Sequence, residues 1–233
     1  MGKRMYLCIS IIIEILYKMK RHFLSIVCFV AVLSLFGQSS CVNPNDEERL
    51  TIAFYNEVKA RENIVVQSLI DIRNAEMFYK QVNGCYTDNI DVLVSFCKTT
   101  QMPVVRLMPD PNDMTFTQVI YDTLGYVSVV DTLSGNRTDF NIDDLGVIPF
   151  SEPRSQYELN AGFVNRGSVS VPVFEAKVPY EVFLSKPSAS FTAKDWSNRV
   201  MDYKKKAESQ NRYPGLKVGS MEEATLDGSW ERL

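Results

Sequence analysis

The stretch from residue 46 to residue 83 constrains this chain most. Apolar residues recur there at Val58, Val65, Leu69, Ile72 and Tyr79, and Val66, Ile70, Met77 and Phe78 widen the stripe. That spacing is the period of a helix with one apolar face. Asp46, Glu47 and Glu48 follow Pro44, where acids suit a helix N-terminus, and Asn83-Gly84 supplies the stop, Gly84 being a natural left-handed cap. One helix of about 35 residues would reach on the order of 50 Å. Its first turns are more polar, so residues 42–64 are expected to form a helical stalk ahead of a single domain over 65–233.

After the stop, Thr87 or Asp88 can cap a short second helix over 89–98, with Ile90, Leu93, Val94 and Cys97 on one face. Strand signals then take over. Met102–Leu107, Thr115–Thr123 and Tyr126–Leu133 are β-branched runs, the last two separated by Gly125. Ser134-Gly135-Asn136 breaks the pattern, and a turn of helix fits 142–145. Tyr157, Leu159, Ala161 and Phe163 alternate with Gln156, Glu158 and Asn160, which predicts a strand with one face buried. Asn165-Arg166-Gly167 suits a three-residue hairpin loop. The returning strand changes apolar phase between Val173 and Phe174, predicting a bulge or a switch of face beside Pro172. Residues 193–211 read as a C-terminal helix with Trp196, Val200 and Tyr203 inward; Pro214-Gly215 ends it, and an irregular tail runs to Leu233. The expected fold is α+β: a long helix and a short one packed on an antiparallel sheet, with a C-terminal helix.

The first 41 residues differ from the rest. A basic cluster at Lys18, Lys20, Arg21 and His22 precedes the apolar run Phe23–Phe36, and Gly37-Gln38-Ser39-Ser40-Cys41 follows. Basic region, apolar region and small residues in that order are a secretory signal, and Met19 would make a clean start for it. A cysteine directly after small residues resembles a bacterial lipoprotein signal with Cys41 as the lipidated new N-terminus, although Gln38 stands where an aliphatic residue is preferred. Plain secretion and an uncleaved single-span anchor are the alternatives, since residues 23–45 carry no charge. Each places the body outside the cytoplasm with the basic flank inside. In an oxidising compartment, Cys85 and Cys97 are candidates for a disulfide; buried or free thiols are the other reading.

Composition narrows the chemistry. Residues 42–233 hold twenty basic and twenty-seven acidic groups, a net charge of −7, which speaks against a nucleic-acid partner. The single histidine is His22, so the body has none for Ser-His-Asp or Cys-His catalysis or for a His-containing zinc site. Ser95-Phe96-Cys97-Lys98 matches S-x-x-K, but no K-T-G accompanies it and Ser95 falls on the polar face of its helix. Asp110, Asn112 and Asp113, and again Asp139, Asn141, Asp143 and Asp144, form oxygen-rich loops without the glycine and distal glutamate of an EF-hand; they read as solvated acidic loops. Gly215–Ser220 lacks P-loop order, and Asn136-Arg137-Thr138 is a glycosylation sequon only in a eukaryotic secretory route. No catalytic residue, cofactor site or metal site is expected.

Ile70-Asp71-Ile72-Arg73-Asn74-Ala75-Glu76, Phe78-Tyr79-Lys80, Gly84-Cys85-Tyr86-Thr87-Asp88 and Leu93-Val94-Ser95-Phe96 together resemble an uncharacterised family of Bacteroidetes envelope proteins. Val173-Phe174-Glu175-Ala176 and Arg212-Tyr213-Pro214-Gly215-Leu216-Lys217-Val218-Gly219-Ser220 resemble its closing signature, so the likeness covers most of 64–230. No activity is assigned to that family. The resemblance implies an envelope protein attached to a membrane by its N-terminus, with other envelope proteins as partners. Cys85 stands where the family carries lysine, and Cys41 where relatives look like single-span anchors. A long membrane-proximal helix ahead of a small sheet is also the plan of pseudopilins, but their cleavage site is missing, and the analogy is one of shape. The expected role is a non-enzymatic interaction or assembly component, with a periplasmic ligand- or peptide-binding lipoprotein as the alternative. Arg73, Gly84, Tyr86, Pro214 and Gly215 are expected to determine the fold, Arg73 either as an exposed helix residue or as the partner of an acid on the sheet.

Overall fold

Helix α1 runs over Pro44–Asn83, close to its expected bounds, with Asp46 and Glu47 in its first turn. Gly84 stops it at φ 76°, its N–H donating to the carbonyl of Lys80 at 2.8 Å. The computed structural model describes residues 44–111, 115, 117 and 119–231. The leader, with Met19 and Cys41, lies outside them, as do Asn112 and Asp113. The chain divides after Thr51 into two units. In the first, the described residues are the opening turns of α1, with 45–50 exposed. The second, from Ile52 onward, begins earlier than the expected start at 65. Phe54, Val58 and Arg61 are already buried, so residues 52–64 belong to the body and not to a stalk.

The buried stripe of α1 continues through Val65, Leu69, Ile72, Ala75 and Glu76 at helical spacing. Helix α2 (Ile90–Thr99) is capped by Asn89, whose side chain accepts from the N–H groups of Asp91 and Val92. Thr87, one of the two expected caps, instead accepts from Asn89 N–H at 3.2 Å. Ile90, Leu93 and Cys97 are the buried face of α2.

Strands β1 (Gln101–Pro109) and β2 (Val119–Ser128) form an antiparallel pair of their own. The two runs separated by Gly125 are one strand as far as Ser128, with the register shifting opposite Val104 and Val105 so that Leu124 is the extra residue of a bulge. Beyond it, Val129–Ser134 is helix α3 where a strand was expected. Val129 and Leu133, one turn apart, are both buried, so packing overrides the β-branched preference. A 3-10 turn occupies Ile142–Asp144.

The second sheet has the order β3-β4-β5 and is antiparallel throughout: β3 (Glu158–Arg166), β4 (Val169–Pro179) and β5 (Gly215–Gly219). The β3–β4 loop is two residues, not three, with Gly167 at φ 63°. The β3–β4 register is unbroken, so the change of apolar phase is no bulge. Phe174, Ala176 and Val178 turn to the core, while Val173 is buried on the opposite face. There the C-terminal segment lies over the sheet: a Cβ on Gly162, the register partner of Val173, would stand 3.0 Å from Met221 Cε. Strand β5 falls in the tail expected to be irregular. Its two glycines admit β4, since a Cβ on Gly215 or Gly219 would meet the carbonyl oxygen of Val178 or Phe174 at 2.2 Å. Helices α4 (Tyr180–Phe183) and α5 (Ala193–Ser209) complete the body, and Trp196 and Val200 of α5 are buried. The fold is α+β, with two antiparallel sheets where one was expected.

Candidate functional site

No side chain of β1 or β2 is buried. The pair is a ribbon of about 30 Å by strand rise, closed at its base by the hydrogen bond from Val129 N–H to the carbonyl of Thr100. The register sorts its side chains. One face carries Pro103, Val105, Leu107, Pro109, Val119, Tyr121, Thr123 and Tyr126 and has no charge. Tyr121 is 72% exposed, Tyr126 68% and Leu107 63%. The other face carries Val104, Ile120 and Val127 with one ion pair, Arg106 to Asp122 at 2.7 Å. A two-stranded ribbon is marginal in water, and a contiguous exposed apolar surface marks an interaction site.

A second feature is a cleft of about 500 Å³ beside α1, lined by Asn63, Gln67, Asp71, Arg137, Phe140 and Asn141 among others. At its floor Arg137 clamps the buried carboxylate of Asp71 with two bonds of 2.8 and 2.9 Å. The same guanidinium donates to the carbonyl of Leu133 and lies over the ring of Phe140. The Asp71 carboxylate also accepts from Gln67. The carboxylate beside it holds the Arg137 guanidinium above its ordinary value. Both acids of the neighbouring 3-10 turn have protein partners: Asp143 pairs with Lys98, and Asp144 pairs with Arg154 and accepts from Asn141, whose side chain also caps the turn.

The third feature is interior. Glu76 is fully buried between α1 and the turn before α2. Its Oε2 accepts from Thr87 N–H at 3.1 Å, and its Oε1 has no partner. Burial pushes its carboxyl up to about 8, and Asp88 adds to the shift against the Thr87 hydrogen bond. Glu76 is therefore largely protonated at neutral pH. Burial, with Glu76 nearby, pushes the Cys97 thiol up to about 12, which leaves no thiolate for nucleophilic or redox chemistry near pH 7. Among the described residues no group of His, Cys, Asp and Glu is arranged to hold a metal ion.

The residues singled out from the sequence fall in separate places. Cys85 and Cys97 are both free thiols, half-buried and buried, and the expected bridge is not formed. Arg73 meets neither solvent alone nor an acid of the sheet. It donates to Glu231 at 2.9 Å and to the carbonyl of Leu226 at 3.2 Å, holding the C-terminal segment. The Tyr86 ring packs on Phe174 at 4.8 Å under the ammonium of Lys80. The carbonyl of Pro214 accepts from Tyr180 N–H, and Gly215 opens β5. Sequence reasoning passed over Arg137, Glu76 and the ribbon. For the ribbon a signal existed, because apolar residues in 102–107 and 119–127 occupy both parities with few charges; that pattern reads equally as a strand buried on both faces.

No family model matches this chain, and comparison with curated proteins and with solved structures gives no match.

Proposed function

We infer that this is a non-enzymatic, membrane-attached envelope protein acting as an interaction or assembly component, with the β1–β2 ribbon as the surface it offers. The observation that carries this reading is the exposure of apolar side chains on both faces of that ribbon. Covering such a surface removes apolar area from water, and a partner supplies the packing that a two-stranded sheet lacks. Attachment rests on the leader: the basic cluster before Phe23–Phe36, then Cys41 as a lipidated N-terminus or an uncleaved span. No helix of the described residues is long and apolar enough to cross a membrane. The resemblance to the Bacteroidetes envelope family points the same way.

The test is the native size of the full-length protein extracted from membranes in mild detergent, with and without the paired changes Leu107→Lys and Tyr126→Lys. The expected result is a complex larger than one chain that the double variant loses while keeping its circular dichroism. An unchanged complex would sink the reading. Intact mass decides the attachment. A chain beginning at an acylated Cys41 and lost in Cys41→Ala is a lipoprotein, and one beginning at Met1 or Met19 is a single-span protein.

The second reading, a periplasmic ligand- or peptide-binding lipoprotein, is favoured by the Asp71–Arg137 cleft. It ranks below the first because the two charges at the cleft's floor, Asp71 and Arg137, are already paired with each other, whereas no apolar side chain of the ribbon is buried.

A further inference from the structure

The two outer edges of the ribbon are unlike, and the difference names an occupant. Proline donates no ladder hydrogen bond, so within a sheet it sits where its nitrogen faces away from the neighbouring strand. Pro103 and Pro109 share the odd parity of β1; its odd residues therefore turn their N–H positions outward, and two of those positions are blank. The outer edge of β1 is blunted. The register partners of these residues on β2 are Val119, Tyr121, Thr123, Tyr126 and Ser128, none of them proline, so the outer edge of β2 keeps its donors. The bulge at Leu124 leaves Val119–Thr123 as the regular stretch of that edge.

We propose that the outer edge of β2 pairs with the same edge of a second copy of this chain, antiparallel about a two-fold axis through Tyr121. This rests on the ribbon being the interaction surface. On that axis the outward N–H of Tyr121 donates to the carbonyl of its counterpart, and Val119 stands opposite Thr123. Ile120 stands opposite Asp122, so no charge faces a like charge, and Asp122 stays with Arg106 of its own ribbon. The most exposed large apolar side chain of the ribbon, Tyr121, meets itself across the axis. The product is a four-stranded sheet in the order β1-β2-β2-β1. Both proline-bearing edges then lie outermost, so the assembly closes at two copies and does not propagate, as an isologous interface must. Pairing over five residues buries less than the roughly 1,200 Å² of a stable interface. The association is a weak, concentration-dependent one.

The test uses the full-length chain in detergent. Tyr121→Cys places two thiols across the axis within disulfide reach, whereas Val105→Cys puts an exposed thiol on β1, away from it. The expected result is an intermolecular disulfide from Tyr121→Cys, well above the level of the unchanged chain and of Val105→Cys. Sedimentation of the unchanged chain is expected to give a mass rising with concentration towards two copies. Thr123→Pro blunts the edge of β2 while sparing its ladder to β1. Because the two-fold repeats the lost bond, it is expected to weaken self-association roughly thirtyfold. Equal cross-linking at 121 and 105, or the mass of one chain at every concentration, would overturn the proposal, and both readouts stand without the proline variant. A larger complex that needs the ribbon yet holds one copy of this chain would also overturn it, while leaving the assembly role in place.

Discussion

The two sheets of this protein are built from similar strand chemistry and reach opposite ends. Strand β4 alternates, sending Phe174, Ala176 and Val178 to the core, and its opposite face at Val173 is covered by the segment that includes Met221. Strands β1 and β2 are as rich in Val, Ile, Leu and Tyr, and none of those side chains is buried. Apolar content alone therefore decides neither burial nor stability. What separates the sheets is a helix-borne apolar stripe on one side and the C-terminal segment on the other. The three-stranded sheet has both covers, and the two-stranded one has neither among the described residues.

The contrast extends to charge. The acid of the ribbon, Asp122, faces solvent with Arg106 beside it, while the body holds Glu76 in its interior without a counter-charge. A carboxyl raised from its ordinary 4.5 to about 8 is a cost of folding once ionised. The unfolded chain gives up that proton near 4.5 and the folded chain near 8, so stability falls as pH rises between those values and the penalty is complete above about 8. The full shift corresponds to at most about 5 kcal/mol. Glu76→Gln keeps an oxygen for Thr87 N–H and removes the titration. Urea unfolding at pH 5 and pH 9 is expected to show a drop of several kcal/mol in the parent and a much smaller one in the variant. An equal drop in both would mean that Glu76 opens to water in the folded state.

Truncation probes the covers directly. Phe174→Ala, in the covered sheet, is expected to cost about 3–5 kcal/mol through lost transfer energy and a cavity. Leu107→Ala, on the ribbon, is expected to change the stability of the separated chain by no more than about 0.5 kcal/mol. Denaturant midpoints at low protein concentration measure both. A cost at Leu107 close to that at Phe174 would show that the ribbon folds back on its own body in solution.

Much of the covered region was legible because its patterns are long. α1 repeats one apolar stripe from Phe54 to Ala75, about six turns, and β3 alternates from Tyr157 to Leu159 and on towards Ala161 before fading at the exposed Phe163. β5 was not, because five residues with a glycine at each end show only Leu216 and Val218 as alternation. The helix at Val129–Ser134 was hidden by β-branched residues whose burial depends on partners distant in the chain. The candidate site was the least legible part. Composition can place apolar residues in a strand, but the absence of a covering layer is a property of the whole fold. The partners of Arg73 and Arg137 likewise lie 158 and 66 residues away.

Arg73 offers the smallest and most local test of the comparison. Its bonds to Glu231 and to the Leu226 carbonyl hold the segment that pairs with β5 through Gly219 N–H to Asp227 and Ser229 N–H to Lys217. The Gly228 N–H, with Arg73, also holds the Glu231 carboxyl below its ordinary range, so this latch is at full strength above that range and weakens as pH falls through it. Arg73→Ala leaves the core residues in place and removes one partly exposed ion pair and one hydrogen bond, worth together about 1 kcal/mol. Hydrogen exchange is the measurement that separates a local loss from a global one. Exchange at Gly219 and Ser229 is expected to speed up by roughly fivefold, the factor that 1 kcal/mol provides, while amides of the ribbon keep their rates. Unchanged exchange at Gly219 and Ser229 would assign the cover of this sheet to Met221 and its neighbours alone, and a change in the ribbon would show that the two sheets are coupled after all.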